Sequence, residues 1–163
     1  MSLYKVLGAL LLLFGGVLCG RALCRRAEAG LLQTEGFVAL LKYIRNQIDC
    51  YLMPVDRILA GCDPGILMAC GLVADADLRE IKSFSELLDC CELCVSEATA
   101  ELLRKFAGEL GTSYRDTQLK ICDYYIGKLS AERDRLQAEL PARRKMIMTI
   151  CICAFAGVAL IMI

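Results

Sequence analysis

Eleven cysteines and no histidine set the side-chain chemistry open to this chain. The densest group is Cys90-Cys91-Glu92-Leu93-Cys94, in which Cys91 and Cys94 form a C-x-x-C pair. Structural zinc takes four ligands, generally from two such pairs. There is no second pair, so Cys62, Cys70 or Cys122 would have to complete a site in space. Cys91 also falls on the apolar stripe of its own segment, and packing is the plainer role for Cys90, Cys91 and Cys94. An odd cysteine count spread through apolar stretches does not make a disulfide framework. It fits reduced thiols in a reducing cytoplasm. Without histidine there is no histidine-based triad, and the commonest metal ligand is missing. Gly15-Gly16 lacks the Lys-Ser/Thr that follows a phosphate-binding loop. No paired carboxylates stand apart from ordinary solvated helix faces. These absences lead us to expect a chain that is not an enzyme, with no cofactor and no metal ligands.

The elements that carry these residues are organised by charge. The window Arg21–Lys145 holds every acidic residue and every basic one except Lys5. Acids and bases almost cancel within it, so there is no basic excess to suggest nucleic acid. The ends are different. Val6–Gly20 and Met146–Ile163 carry no charge at all, in a chain that is 57% hydrophobic. A ~30 Å hydrocarbon core needs about 20 apolar residues in a helix. On that basis residues 3–23 and 146–163 are expected to be transmembrane helices, with a cytoplasmic α-helical bundle domain over residues 28–145. A cleaved signal peptide is the rival reading of the first end, but no A-x-A-like site follows it. Arg21, Arg25, Arg26, Arg143, Arg144 and Lys145 flank the ends on the side of the central segment. By the positive-inside rule they would set the topology and hold that segment in the cytoplasm. They could also touch anionic lipid headgroups, at about 1 kcal/mol each near a charged surface. Gly16 with Gly20, and Cys153 with Gly157, are small-residue pairs that permit close helix contact.

The central stretch reads as helix throughout, interrupted only by Pro54, Pro64 and Pro141. From Glu28 to Cys50, the residues Phe37, Leu40, Leu41, Ile44 and Ile48, with Tyr51 beyond, share one face. Pro54 suits the first position of a short helix bearing Val55, Ile58 and Leu59. Cys62-Asp63-Pro64-Gly65 reads as a turn, and a third short helix covers roughly Ile66 to Ala74. The spacing predicts a helix from about Leu78 to Val95, with Ser83 and Glu86 as a capping box, and another near Ala98 to Leu110. Gly111 suits a helix C-cap, and Ser113 with Asp116 resembles the N-cap of the next helix. In that last helix Leu119, Cys122, Ile126, Leu129, Arg133, Leu136 and Leu140 form a heptad-like seam. Pro141 is expected to kink or interrupt it.

The order of these parts resembles a known family. A Leu-rich N-terminal segment precedes an amphipathic helix with an acid-rich face. Tyr51-Leu52-Met53-Pro54 follows, then Leu110-Gly111-Thr112-Ser113 with Asp116 and Gln118, then a long charged helix and a terminal apolar segment. This arrangement is similar to the stage III sporulation protein AB family of endospore-forming bacteria, over essentially the whole chain. The resemblance implies an all-α fold like the cytoplasmic domains of type II secretion F-type platform proteins. It also implies a non-enzymatic structural part in the channel complex between mother cell and forespore. The place implied is the mother-cell membrane facing the forespore. The partners implied are that membrane and other sporulation channel proteins, including a secretion-type ATPase for which the chain would be a platform. Self-association is open. Two rivals stand beside this reading: a platform subunit of a general secretion or pilus system, and a thiol-based redox or metal-binding membrane protein. The candidate partner-contact turn is Gly111, Ser113, Arg115, Asp116 and Gln118. Its plainer reading is a C-cap followed by an N-cap, with Gln118 hydrogen-bonding the turn.

Overall fold

The computed structural model describes residues 3–51, 54–72 and 81–162. Among these described residues six helices follow in order: α1 Leu3–Tyr51, α2 Val55–Ala60, α3 Pro64–Ala69, α4 Phe84–Asp89, α5 Glu97–Glu109 and α6 Arg115–Met162. Among the described residues the only strand-like pairing is an isolated antiparallel bridge between Leu72 and Cys91. The chain divides into two compact units, Met1–Glu28 with Gln137–Ile163, and Ala29–Leu136.

The all-helical expectation holds, but the two flanking transmembrane helices do not. Among the described residues no helix is long and apolar enough to cross a membrane. Among the described residues neither end is a separate helix. α1 and α6 each run unbroken from an apolar end into charged sequence, past Arg21, Arg25 and Arg26 in one and Arg143, Arg144 and Lys145 in the other. Lys5 and Arg21 bound the charge-free run Val6–Gly20 at 15 residues, short of the ~20 a bilayer core needs.

Within the first unit the two ends pack on each other. A Cβ on Gly16 would lie 2.9 Å from the Phe155 ring, and one on Gly20 would lie 2.8 Å from the Met148 sulfur. Gly16 and Gly20 therefore do form a close-contact face. The second small pair does not, since Gly157 faces open space and Cys153 is exposed.

The second unit is built around the C-terminal half of α1. Phe37, Leu40, Leu41, Ile44 and Ile48 are buried at helical spacing, as their periodicity requires. Ile58 and Leu59 of α2, Leu67 of α3, Phe84, Leu87 and Leu88 of α4, and Leu103 and Phe106 of α5 share the same core. Phe106 is edge-on to both Phe84 and Tyr125, with ring centroids 5.1 and 5.3 Å apart. Gly36 lets the end of α3 lie against α1, because a Cβ there would come within 2.7 Å of the Ala69 carbonyl oxygen.

Caps set the short helices. The Asp63 carboxylate accepts from the Gly65 N–H at 2.9 Å, with Pro64 in the first turn of α3. Pro54 is the N-cap of α2 rather than its first helical residue. The Ser83–Glu86 capping box is present at α4. α4 nonetheless ends at Asp89, well short of Val95, and α3 ends at Ala69 rather than Ala74. The parts of those expected helices at residues 73–80, and the Leu52–Met53 turn, lie outside the described residues. α5 is separate from α4 and starts at an N-cap on Ser96.

α6 keeps its helix through Pro141 without interruption. The proline forfeits one backbone bond there, and the helix continues beyond it. The buried face of α6 is Gln118, Cys122, Tyr125 and Leu129. It is rotated slightly from the expected seam: Leu119 and Ile126 sit at the edge of the core.

Candidate functional site

The turn between α5 and α6 is built from the inside outward. α5 ends at Glu109, and Gly111 takes a φ of +82°, which a glycine adopts without steric cost. Its N–H donates to Gln118 Oε1 at 3.0 Å, while Gln118 Nε2 donates back to the Glu109 carbonyl at 2.9 Å. Gln118 is buried, so its amide fixes the turn from below. The Thr112 hydroxyl donates to the same carbonyl at 2.8 Å, and the Tyr125 hydroxyl donates to Glu109 Oε1 at 3.1 Å. Burial first, and then that carboxylate, push the Tyr125 phenol above its ordinary range.

Arg115 opens α6 and is already engaged. Its guanidinium pairs with the Asp49 carboxylate and donates to the Asp49 carbonyl at 2.8 Å. Asp49 also faces Arg45 at 3.6 Å, and Arg45 Nε donates to Asp123 at 2.6 Å. The hydrogen bond to Asp123 raises the Arg45 pKa. Single exposed pairs are worth about 0–1 kcal/mol, but this chain of charges ties the end of α1 to the start of α6.

The sequence-derived turn residues therefore divide. Gly111 and Gln118 are its frame, and Arg115 is its tie to α1. Ser113 and Asp116 are exposed. Ser113 is not the N-cap, since α6 begins at Arg115 and the Tyr114 carbonyl accepts from the Gln118 N–H at 2.9 Å. Tyr114 was not singled out by spacing, yet it is 92% exposed at the tip. An aromatic off every apolar seam, between polar neighbours, is the signal that marks it. An exposed tyrosine beside an arginine brings together two of the residue types enriched among interface hot spots.

Sequence spacing also missed Gln33. Its buried side chain donates to the Cys70 carbonyl at 2.8 Å and the Glu92 carbonyl at 2.7 Å. Its Oε1 accepts from the Cys94 N–H at 2.6 Å and the Val95 N–H at 3.1 Å. Three of these bonds take backbone groups at Glu92, Cys94 and Val95 that a continued α4 would have used, and α4 stops at Asp89.

Cys90 and Cys91 are half-buried and Cys94 is exposed, all as free thiols. Among the described residues no three Cys, Asp or Glu side chains converge as a metal site would require. Burial pushes the Cys62, Cys91 and Cys122 thiols up from 9.0 to about 11, and pushes Cys70 up as well. In each case the folded pKa lies above the unfolded one. The stabilisation is thus complete below pH 9 and is lost as pH rises through about 11. Denaturant melts at increasing pH should show stability falling from pH 9 upward, and the triple variant Cys62→Val, Cys91→Val, Cys122→Val should flatten that fall.

The six flanking cations also separate. Arg21, Arg25 and Arg144 line one cleft, and Arg144 pairs with Glu28 at 3.1 Å. Arg143 pairs with Glu139 at 3.4 Å, and Arg26 and Lys145 are exposed.

The class defined by this architecture is an all-α protein framed by two long helices, with a rigid polar turn at the head of the second. The chain belongs to the stage III sporulation protein AB family, whose model matches residues 5–163. It is therefore a sporulation protein by family. No curated protein and no solved structure matches it.

Proposed function

We propose that the chain is a non-enzymatic structural component of the sporulation channel complex between mother cell and forespore, and a platform for its secretion-type ATPase. The observation that supports this most is the turn at Tyr114–Asp116. Gln118 holds it from inside and the Arg115–Asp49 pair from the side, while Tyr114 stands almost fully exposed. Ordering costs on binding fall when a surface is already rigid, so this turn is suited to docking another subunit. A general secretion platform lacks the support that family membership lends to sporulation. The metal-binding form of the thiol-based reading lacks a converging set of ligands among the described residues.

A photocross-linking amino acid at position 114 tests the proposal in sporulating cells. The expected result is a specific adduct with another sporulation channel protein. The same probe at Arg104, exposed on α5 away from the turn, should give none. Equal labelling from both positions, or no adduct from position 114, contradicts it.

A further inference from the structure

We infer that the cleft between α1 and α6 in the first unit binds the phosphate of a phosphate-ester anion. The cleft has a volume of about 210 Å³ and is lined by Arg21, Cys24, Arg25, Glu28, Arg144 and Met148. Arg21 and Arg25 lie one helical turn apart, so their side chains leave α1 on one face. Arg144 reaches in from α6 and is held by Glu28 at 3.1 Å. Three arginines and a single glutamate thus line the cleft, which carries a surplus of positive charge. Among the described residues neither Arg21 nor Arg25 has an ion-pair partner.

The remaining walls do not compete for an anion. Cys24 is 6% exposed and Met148 is half-buried, so they provide a neutral floor. The volume has room for a phosphate and a few ordered waters, at ~30 Å³ per water. Guanidinium forks match the paired oxygens of phosphate better than any other side chain does. A lipid headgroup and a free phosphate ester offer the same group. Leu18, three residues before Arg21, and Met146, two after Arg144, are exposed and could lie along an acyl chain.

Two probes distinguish the sources, both with the full chain: phosphatidylcholine vesicles with and without phosphatidylglycerol, and inorganic phosphate observed by 31P NMR. The double variant Arg21→Gln with Arg25→Gln removes two cleft cations. The double variant Arg26→Gln with Lys145→Gln removes the same charge from outside the cleft. For a headgroup site, the cleft variant lowers the preference for anionic vesicles on the order of tenfold, and the control variant leaves most of it. For a free-phosphate site, wild type broadens the phosphate resonance and the cleft variant does not. Either selective loss supports the inference. Equal losses in both variants would mean a diffuse basic belt and overturn it, as would the absence of any response to either probe. Circular dichroism checks that helicity is kept. If the glutamine variant loses helicity, Arg21→Lys with Arg25→Lys decides instead: it keeps the charge, and binding should still weaken because the fork is gone. Unchanged binding in that variant overturns the inference.

Discussion

Replacing Gln33 with leucine should lower the thermal unfolding midpoint by on the order of 10 °C, the largest stability loss expected from one polar substitution in the chain. Gln33 is only 4% exposed and uses its amide in four hydrogen bonds to backbone groups at Cys70, Glu92, Cys94 and Val95. A hydrogen bond contributes about 1 kcal/mol net, and an orphaned buried partner costs about 1–3 kcal/mol. Leucine recovers some apolar burial but satisfies none of the four groups. A net loss of about 3 kcal/mol is expected, and each kcal/mol shifts the midpoint of a domain this size by roughly 3–4 °C. Circular dichroism melts of the two proteins measure it. A midpoint within experimental error of wild type would mean that water replaces the amide and that Gln33 does not organise the segment.

The same residue shows where sequence reasoning stops. The core of α1 was legible because Phe37, Leu40, Leu41, Ile44 and Ile48 repeat at helical spacing and all prove buried. The cap at Ser83 was legible because capping is a local interaction between near neighbours, whereas Asp63, read only as part of a turn, proves to cap α3. The end of α4 was not legible. It depends on a glutamine about sixty positions earlier in the chain, and no local spacing reports a partner so distant.

The rotation of the α6 face has a similar origin. Heptad spacing favoured Ile126, but Phe106 and Glu109 of α5 draw Tyr125 into the core instead. Absence of charge marked the two ends as apolar without saying how they are used. Among the described residues they form the continuous ends of two long helices, with Gly16 and Gly20 of one seated on Phe155 and Met148 of the other.

The candidate turn was partly legible. Gly111 and Gln118 could be read as its frame, because a glycine past a helix end and an amide one turn into the next helix are local features. That Arg115 is held by Asp49 could not be read, since that pair joins α1 to α6. Without that pair the turn would be one more surface loop. With it, the most exposed positions of the turn are Ser113, Tyr114 and Asp116, the last of which faces Arg115 at 3.7 Å.

The second large effect follows from that exposure. Tyr114 and Asp116 make no contact that the core needs: the tyrosine is 92% exposed and the Asp116 side chain 89%. Surface substitutions of this kind usually change stability by less than about 0.5 kcal/mol. Truncating an interface anchor commonly costs 2 kcal/mol or more of binding, and reversing a charge beside it adds repulsion. Tyr114→Asp with Asp116→Lys should therefore cost the fold no more than about 1–2 kcal/mol, chiefly from reversing a charge in the first turn of α6 beside Arg115, while removing the proposed docking surface. The direct measurement is the heat-resistant spore count of a spore-forming host that lacks its own copy, complemented with wild type or with this double variant at equal protein level. The account predicts full counts with wild type and a loss of at least about tenfold with the variant. Equal counts from the two strains would contradict it.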